Sequence, residues 1–431
     1  PSRSATRGTN RQFAVAVRES CVTPSRFTSF PSSFPFTICV TCIVVNLIYR
    51  VSQAKRVKWC HPCSLSCLYH AYMDKYHLVV LFGGRSAEHD VSCVSARHVL
   101  AAADPERYEI IPVGIDRDGH WSLSVSSVEA LQDGDLPDAL DPSGSSWDPL
   151  PELQKLRQSG SVVVFPLLHG PLGEDGTVQG LLEVADVPYV GSGVLGSALA
   201  MDKLAAKDVL NQYGIRQARH RGFHADDLPS KGSEGAHALY SSLLEDLGPR
   251  VFVKPANLGS SIGVSLADDA AGLEIALASA AAYDEWILVE EAISGREIEL
   301  AVLGDRVPQV SGPGEIRPGA EFYDYADKYE DGSAELIDDP ELGPEVVVSL
   351  QQTAAKAFAA LRCSGMARVD FFVSKNDEIV LNEVNTIPGF TPISMYPRLW
   401  EKSGLSYSGL IDRLVDLGVQ RNLRQRRNTI R

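Results

Sequence analysis

Residues 365 to 394 contain two short apolar runs that are joined by a turn-forming segment. The runs extend from Ala367 to Val373 and from Glu378 to Leu381, and both are rich in β-branched or aromatic residues. Residues 374 to 377 between them are Ser, Lys, Asn and Asp, which is turn chemistry. This pattern predicts a β-hairpin.

Three oxygen-bearing side chains lie on this hairpin, namely Asp370, Glu383 and Asn385. Side chains two residues apart on a strand point to the same face, so Glu383 and Asn385 share one face, and Arg368 shares a face with Asp370. Carboxylate and amide oxygens suit Mg²⁺, which completes its coordination with substrate phosphates. The cluster therefore predicts a metal–phosphate site, although each residue alone would also fit a solvated face of an ordinary hairpin.

Charge is distributed unevenly along the chain. At 431 residues the chain is long enough for two or three domains, and its hydrophobic content of 44% is typical of a globular protein. The net charge is −15, but residues 1 to 72 carry +8, which leaves −23 on the remainder. An acidic body argues against nucleic acid as a partner, and an anionic nucleotide would have to be held by local cations.

A nucleotide site would need phosphate-binding groups other than a P-loop, because the chain has no G-x-x-x-x-G-K-[ST] motif. Lys203 stands at a predicted helix start, and Lys254 ends a predicted strand. The Gly- and Ser-rich residues 255 to 264 follow Lys254, and their backbone N–H groups could wrap an anion. The alternative is a flexible loop without a ligand.

Near position 76 the pattern predicts a buried strand, a glycine turn and a helix start that carries Glu88. This arrangement is typical of an open α/β sheet, which binds ligands beyond the carboxyl ends of its strands. Glu88 would also fit a simple helix-dipole role. The G-x-G-x-x-G of residues 191 to 196 lacks the second strand and acidic residue of a dinucleotide site, so we do not predict NAD binding there.

Four strings carry a family resemblance: GGRSAEHDVS from Gly83, HGPLGEDGTVQG from His169, FYDYADKY from Phe322 and NEVNTIPGFTPIS from Asn382. Together they resemble the D-alanine–D-alanine ligases of the ATP-grasp superfamily, and the resemblance covers residues 76 to 420. It implies an α/β fold with the three-domain ATP-grasp architecture and an N-terminal open parallel sheet. The expected boundaries are an unstructured extension over 1–72, an N-terminal substrate domain over 76–201, a central ATP-grasp lid domain over 202–297, a C-terminal catalytic domain over 298–420 and a tail over 421–431. Composition further predicts a loose insertion over the Asp-, Ser- and Pro-rich residues 117–150, and a frayed chain in the basic, polar tail after Val419.

The resemblance also implies an activity. An enzyme of this family would ligate two D-alanine molecules through a D-alanyl phosphate, using ATP and two Mg²⁺ (or Mn²⁺) ions, to supply peptidoglycan precursors. It further implies a cytoplasmic homodimer whose body binds neither nucleic acid nor membrane.

Site roles follow from the matched motif positions. Those implied for catalysis are Glu88, Ser260, Tyr329, Arg368 and Gly389. Those implied for substrate binding are Glu88, His169, Ser394 and Met395. Those implied for ATP binding are Lys203, Lys254, Ser260, Ser261, Glu290, Ala292, Ile293, Glu297 and Lys328, and the metal ligands are Asp370, Glu383 and Asn385. Tyr329 stands where D-alanine–D-lactate ligases differ, and thereby favours an amino acid as the second substrate.

Two alternatives remain open at this stage. The chain could be an ATP-grasp ligase for another amino or hydroxy acid. It could also be an inactive ligase body used as a regulator, because residues 1 to 72 contain two C-x-x-C pairs and a 16-residue apolar run over 34–49. The pairs approximate zinc-ribbon spacing, while the run is short for a membrane span.

Overall fold

The computed structural model describes residues 75–319 and 334–425, which form an α/β structure with three β-sheets. The strands are β1 (Tyr76–Gly83), β2 (Tyr108–Ile115), β3 (Trp121–Leu123), β4 (Ser145–Ser146), β5 (Val162–Pro166), β6 (His220–His224), β7 (Val251–Pro255), β8 (Ser265–Ala267), β9 (Trp286–Glu291), β10 (Arg296–Gly304), β11 (Gln309–Arg317), β12 (Glu335–Ile337), β13 (Gly365–Val373) and β14 (Ile379–Asn385). The helices are α1 (His89–Ala102), α2 (Val125–Asp133), α3 (Pro149–Ser159), α4 (Thr177–Val184), α5 (Val194–Met201), α6 (Lys203–Gln212), α7 (Glu234–Leu247), α8 (Ala270–Ala281), α9 (Pro344–Ala360), α10 (Met395–Lys402) and α11 (Tyr407–Gln425).

The first sheet has the order β4-β3-β2-β1-β5, and its central strand β1 runs parallel to both β2 and β5. Residues 78 to 82 of β1 are almost completely buried, since helices cover both faces of a parallel sheet. β3 and β4 extend the sheet by antiparallel pairing at one edge. The open parallel sheet predicted for the N-terminal part is therefore confirmed.

The middle sheet is antiparallel and has the order β6-β9-β7-β8. Helices α7 and α8 supply apolar side chains to its core, which includes Leu243, Leu273 and Leu277. This core is a cluster of its own, separate from the clusters beneath the other two sheets.

The third sheet, β12-β11-β10-β13-β14, is antiparallel throughout. One apolar cluster extends from Phe82 and Phe165 of the first sheet, through Phe390 and Tyr396, to Leu414 of α11. The first and third sheets thus share a packed core, which fixes the loops at the end of β1 relative to the β13–β14 hairpin.

The region from residue 117 to 150, expected to be a loose insertion, is instead partly ordered. It contains β3, α2 and β4, and Ser124 caps α2 by accepting a hydrogen bond from the Ser127 backbone N–H. Trp121 and Trp147 stack with ring centroids 6.0 Å apart. The expectation was wrong because the Asp, Ser and Pro residues that suggested a loop serve here as caps and turns around two aromatic anchors.

The prediction that the chain frays after Val419 is also wrong as far as residue 425. α11 continues to Gln425, and both Arg421 and Asn422 are buried. The Arg421 guanidinium lies 3.9 Å from the ring centroid of Tyr189, and Arg424 pairs with Asp305 at 2.5 Å. Basic residues that looked solvated in sequence are held by tertiary partners.

Several predictions lie outside the described residues. They include the unstructured extension over 1–72 with its cysteine pairs, the loop residues Lys328 and Tyr329, and the end of the tail over 426–431. Within 75–319 and 334–425, no helix has the length and apolar character needed to cross a bilayer.

Candidate active site

The β13–β14 hairpin brings the four residues predicted to share a face into direct pairs. Arg368 lies opposite Asn385, and Asp370 lies opposite Glu383. The register then shifts between Asp370 and Phe371, so that Asn382 is the extra residue of a β-bulge. Bulges next to functional sites re-aim side chains, and this one follows directly on the oxygen-bearing pairs.

Asp370 is the centre of this group. Its Oδ1 and Oδ2 accept hydrogen bonds from Nε and Nη2 of Arg368 at 2.8 and 2.7 Å, and its Oδ2 also accepts from Asn385 Nδ2 at 2.9 Å. Glu299 on β10 lies opposite Asp370 on the other side, with its Oε1 3.3 Å from Arg368 Nε. Burial lowers the pKa of the Arg368 guanidinium, but Asp370 and Glu299 outweigh that effect and hold this pKa well above its usual range.

The oxygen donors on neighbouring strands fit a hard divalent cation. Asp370 and Glu383 contribute carboxylates and Asn385 an amide, from directly paired positions of one sheet face. Mg²⁺ is typically held by one or two carboxylates, with substrate oxygens completing the octahedron. The chemistry of this donor set is therefore compatible with Mg²⁺ or Mn²⁺.

A cleft of about 950 Å³ separates the middle sheet from the hairpin. Its lining includes the predicted nucleotide-binding residues Lys203, Lys254, Ser260, Ser261, Glu290, Ile293 and Glu297. Ala292 lies in the adjoining groove, beside Ile293, and its N–H is bonded to the Arg250 carbonyl. The structure thus gathers the predicted positions on one side of the hairpin.

A buried ion cluster lies at the inner wall of this cleft. Glu290 pairs with Lys254 at 2.5 Å and with Lys207 at 2.8 Å, and all three side chains are at most 13% exposed. Burial raises the pKa of the Glu290 carboxyl, but the two lysines outweigh that and hold it well below its usual range. The cluster therefore remains ionised with a net positive charge, as a site for a polyanion requires.

Lys203 approaches the hairpin from α6. Its Nζ donates to the Leu258 carbonyl at 2.6 Å and lies 3.7 Å from Glu383 Oε2. Lys203 therefore links the loop that begins the Gly/Ser segment to a predicted metal ligand.

A second cleft, of about 840 Å³, lies on the other side of Arg368. Glu88 at the start of α1 enters it, and its Oε1 accepts a hydrogen bond from Ser260 Oγ across the cleft. Ser260 and Ser261 both have positive φ angles, of 48° and 57°, which non-glycine residues seldom adopt. A Cβ on Gly259 would lie 2.8 Å from Glu88 Oε2, so the loop backbone itself rests against the carboxylate.

Glu174 is a second buried carboxyl in this cleft, and no sequence motif predicted a role for it. Its Oε1 accepts a hydrogen bond from the Gly170 N–H at 2.9 Å. Burial, reinforced by the charge of Glu88, raises the pKa of Glu174 to about 8. This shift favours the protonated, neutral form of Glu174 near pH 7.

This raised pKa predicts a pH-dependent contribution to stability. Between pH 4.5 and about 8, Glu174 is protonated in the folded chain and ionised in the unfolded chain, so rising pH favours unfolding. Glu174→Gln cannot ionise and keeps an oxygen for the Gly170 N–H. We therefore compare the free energies of unfolding of Glu174→Gln and the native protein. Between pH 5 and pH 8 the difference should change by about 2–4 kcal/mol in favour of the variant, since one pKa unit is about 1.4 kcal/mol.

Urea denaturation at the two pH values measures that difference. Glu129→Gln, at an exposed position of α2, is the matched control and should show no such gain. Equal pH dependence in Glu174→Gln and the native protein would contradict the assignment of a buried neutral carboxyl.

At the far end of the second cleft, residues 387 to 394 lead into α10. Ser394 precedes the helix, and its hydroxyl bonds to the Thr391 N–H at 3.1 Å rather than capping α10. A Cβ on Gly389 would lie 2.6 Å from Ser394 Oγ, so only glycine allows this approach. The Ser394 hydroxyl and the N-terminus of α10, which begins at Met395, together fit a carboxylate.

The two clefts meet, and the residues that line both are Gly259, Ser260, Glu299, Arg368 and Glu383. Groups bound in the two clefts would therefore meet beside these shared residues, among them Arg368 and Glu383. Such a junction is where chemistry between two bound molecules would take place.

Sequence reasoning missed four residues that the structure brings to the site: Ser95, Glu174, Lys207 and Glu299. Lys207 is four residues after Lys203 on α6, and Glu299 is two residues after Glu297 on β10, so periodicity could have indicated both. Glu174 lies within the string HGPLGEDGTVQG that carries the family resemblance, but its position there indicated no separate role. Nothing local marks Ser95, which a tertiary contact alone reveals.

The α/β architecture with these two clefts is that of the ATP-grasp ligases. Residues 77–192 match the family described as "D-ala D-ala ligase N-terminus", and residues 209–416 match "D-ala D-ala ligase C-terminus". The chain therefore belongs to the D-alanine–D-alanine ligase family.

Individual relatives agree with this assignment. The chain is 44% identical over 356 residues to a D-alanine–D-alanine ligase of Bacillus cytotoxicus, a match that spans 81% of this chain and 97% of the relative. It is 45% identical over 356 residues to one of Caldicellulosiruptor bescii, with the same two coverages.

Solved structures agree too. The D-alanine–D-alanine ligase of Coxiella burnetii superimposes with a TM-score of 0.66 at 35% identity, covering 82% of this chain and 96% of that one. The VanG D-Ala:D-Ser ligase of Enterococcus faecalis gives a TM-score of 0.66 at 34% identity, covering 80% and 100%.

Proposed function

We propose that this protein joins two molecules of D-alanine into D-alanyl-D-alanine, with conversion of ATP to ADP and phosphate, for peptidoglycan precursor synthesis. The observation that carries the proposal is the junction of two clefts at Arg368. A nucleotide in one cleft can there transfer its γ-phosphoryl to a carboxylate in the other. The family of the chain supports the same activity.

The first step makes a carboxylate reactive. The carboxylate of the first D-alanine attacks the γ-phosphorus, the bond from that phosphorus to the bridging oxygen of ADP breaks, and D-alanyl phosphate forms. Phosphoryl transfer depends on positioning and charge neutralisation more than on covalent help. Lys203 and Lys254 bind the phosphates, and the Glu290 cluster with Lys207 fixes Lys254 in place.

Nucleotide binding in this proposal uses the first cleft and the groove that adjoins it. Glu290 together with the backbone of Ala292 and Ile293 grips adenine, and Glu297 accepts from the ribose hydroxyls. Ser260 and Ser261 close over the phosphates through their backbone N–H groups. Lys328, outside the described residues, stays a proposal from the resemblance alone.

Metal binding is assigned to Asp370, Glu383 and Asn385. Two Mg²⁺ (or Mn²⁺) ions, when bound, would neutralise the phosphate charge and orient the γ-phosphoryl. The amide oxygen of Asn385 and the two carboxylates are the oxygens that this chain provides for them.

The second step forms the peptide bond. The neutral amine of the second D-alanine attacks the carbonyl carbon of D-alanyl phosphate, giving a tetrahedral oxyanion. Phosphate then leaves with its bonding electron pair and accepts the proton that the nitrogen loses. Arg368 and the Gly389 N–H stabilise the oxyanion, each by about 3–4 kcal/mol if they act like donors in other oxyanion holes. A closed cleft also keeps water from the acyl phosphate.

Substrate binding divides between two ends of the second cleft. Glu88 pairs with the ammonium of the first D-alanine, and Ser260 orients the Glu88 carboxylate by donating a hydrogen bond to it. Ser394 and the Met395 N–H receive the carboxylate of the second. His169 lines the cleft beside Glu88, and Tyr329, outside the described residues, is proposed to close the Glu88–Ser260 contact.

Phosphate release from ATP, measured with Mg²⁺ and with or without D-alanine, tests the proposal. We expect release that depends on both D-alanine and Mg²⁺, with one D-alanyl-D-alanine formed per phosphate by mass spectrometry. L-alanine is the matched control and should support no release. ATP binding without D-alanine-dependent release would contradict the proposed substrate while leaving the nucleotide site intact.

The similarity to the D-Ala:D-Ser ligase makes the second substrate a distinct question. D-serine and D-lactate, each mixed with D-alanine, are the competing acceptors. We expect D-alanyl-D-alanine to dominate at equal concentrations. A dominant D-alanyl-D-serine or D-alanyl-D-lactate product would assign the second site to that acceptor instead.

We further propose a homodimer that works in the cytoplasm, where ATP and precursor synthesis are found. Sedimentation equilibrium should give a mass near twice the 46.7 kDa of the chain. A concentration-independent monomer mass would contradict the dimer.

A further inference from the structure

His169 is buried at 5% exposure, and both of its ring nitrogens have protein partners. Nδ1 lies 3.0 Å from the Ile387 carbonyl oxygen, and Nε2 lies 3.4 Å from Ser95 Oγ. A carbonyl oxygen can only accept, so Nδ1 carries the proton. In the neutral ring Nε2 is then an acceptor, and the Ser95 hydroxyl must donate to it.

Ser95 lies on α1 and has no solvent exposure. Its Oγ also accepts a hydrogen bond from the Phe390 N–H at 3.2 Å. Ser95 Oγ accepts from the Phe390 N–H and donates to His169 Nε2. These two hydrogen bonds together fix the direction of the serine O–H. Ser95 and His169 therefore hold both ends of the four-residue turn from Ile387 to Phe390.

Gly389 is inside that turn, next to the Phe390 N–H that Ser95 holds. Other contacts position the rest of Phe390: its ring meets Phe165 edge-on at 5.6 Å, and its carbonyl accepts from Tyr407 Oη at 2.6 Å. The Phe390 side chain would thus stay seated without Ser95. What Ser95 controls is the orientation of the peptide units around Gly389.

We propose that Ser95 is a positioning residue, which acts with His169 to aim the Gly389 N–H at the reacting carbonyl between the two clefts. The inference rests on the proposed ligase activity, in which Gly389 is an oxyanion donor. It also gives His169 a role in place of direct substrate binding, since its nitrogens are used by Ile387 and Ser95.

The neutral ring is required for this arrangement. Burial lowers the pKa of His169, although Glu88 opposes that effect and Arg368 adds to it. The charged residues that line this cleft are Glu88 on α1, Glu174 in the loop before α4, Glu299 on β10, and Arg368 and Glu383 on the hairpin. Protonation of Nε2 would remove the acceptor for Ser95.

Steady-state kinetics of Ser95→Ala tests the role. We expect kcat for D-alanine-dependent phosphate release to fall about 10- to 100-fold, less than the loss of a whole oxyanion donor, while the KM for ATP changes less than about twofold. Ser197→Ala removes a buried hydroxyl of similar size from α5 and is the matched control, with full activity. A kcat for Ser95→Ala equal to that of the control would overturn the proposal.

A second measurement does not depend on activity. In the ¹⁵N-histidine-labelled protein, the His169 ring, assigned by loss of its signal in His169→Asn, should remain the Nδ1–H tautomer from pH 6 to 8. In Ser95→Ala the Nε2 resonance should shift because its donor is lost. An Nε2–H tautomer in the native protein would overturn the proposal even if Ser95→Ala did not fold.

The kinetic and the NMR measurements distinguish a failure of the proposed ligase activity from a failure of the proposed role of Ser95. A native protein without D-alanine-dependent turnover would remove the proposed function, and the tautomer would still test the geometry. An active native protein with the Nε2–H tautomer would leave the ligase standing and remove the role of Ser95.

Discussion

Replacing Arg368 by lysine is expected to lower kcat about 100- to 1000-fold while ATP binding remains within about threefold of the native value. Arg368 lines both clefts and approaches Asp370 with Nε and Nη2 as a planar fork. Lysine keeps the positive charge but has a single donor group that cannot reproduce the fork. The loss expected from one missing oxyanion donor is about 2.7–4 kcal/mol.

Lysine is a better choice here than alanine. Arg368→Ala would leave the carboxylates of Asp370 and Glu299 without their shared cation, and removing one partner of a buried pair costs about 3–5 kcal/mol of stability. A loss of activity would then be ambiguous. Arg368→Lys retains the charge, so a fall in kcat reports on catalysis.

The control for this experiment is Arg157→Lys. Arg157 donates to Asp186 at 2.8 Å and to the Ala185 carbonyl at 3.0 Å, and it is not among the residues lining either cleft. We expect activity within twofold of native for that variant. Turnover in Arg368→Lys equal to that of Arg157→Lys would remove Arg368 from the oxyanion site.

Replacing Glu383 by glutamine is expected to raise the Mg²⁺ concentration needed for half-maximal activity by about 100-fold or more. Even substitutions next to metal ligands commonly cost 10–100-fold in metal affinity, and a charged ligand should cost at least as much. Glutamine retains an oxygen but loses the negative charge that attracts a divalent cation. Because Lys203 Nζ lies 3.7 Å from Glu383 Oε2, the variant also leaves that lysine without its closest carboxylate.

A Mg²⁺ titration of phosphate release measures this effect, and excess Mg²⁺ should recover part of the activity. The hairpin provides a matched control in Glu378→Gln. Glu378 is exposed at the turn end of the same hairpin, where it pairs with Arg216, and exposed pairs contribute about 1 kcal/mol or less. Superimposable titrations for Glu383→Gln and Glu378→Gln would exclude Glu383 as a metal ligand.

The central hairpin was predictable because its signals are local. Side chains alternate between the two faces of a strand with a period of two residues. Spacing alone therefore indicated that Arg368 and Asp370 share one face of β13, and that Glu383 and Asn385 share one face of β14. Spacing could not supply the register between the strands. The pairing of Asp370 with Glu383, and the bulge that follows it, depend on how the hairpin packs on β10.

Other parts of the site depend on residues that are distant in sequence. Glu88 and Ser260 are 172 residues apart, and Ser95 and Phe390 are 295 apart, yet each pair is in hydrogen-bond contact. No local pattern marks such contacts, because they arise when separate sheets pack together. The same reason explains the tail, where the partners of Arg421 and Arg424 are Tyr189 and Asp305.

The sequence by itself determined the α/β class and, through four motifs, the family, and it predicted the central hairpin with its three oxygen-bearing side chains. These properties depend on side-chain period, turn chemistry and short strings, all of which are contained within a few residues. Only the tertiary structure decided that Lys254 shares Glu290 with Lys207, that burial raises the pKa of Glu174, and that two clefts meet at Arg368. Burial and charge pairing are set by which distant segments come together, and that is a property of the packed chain.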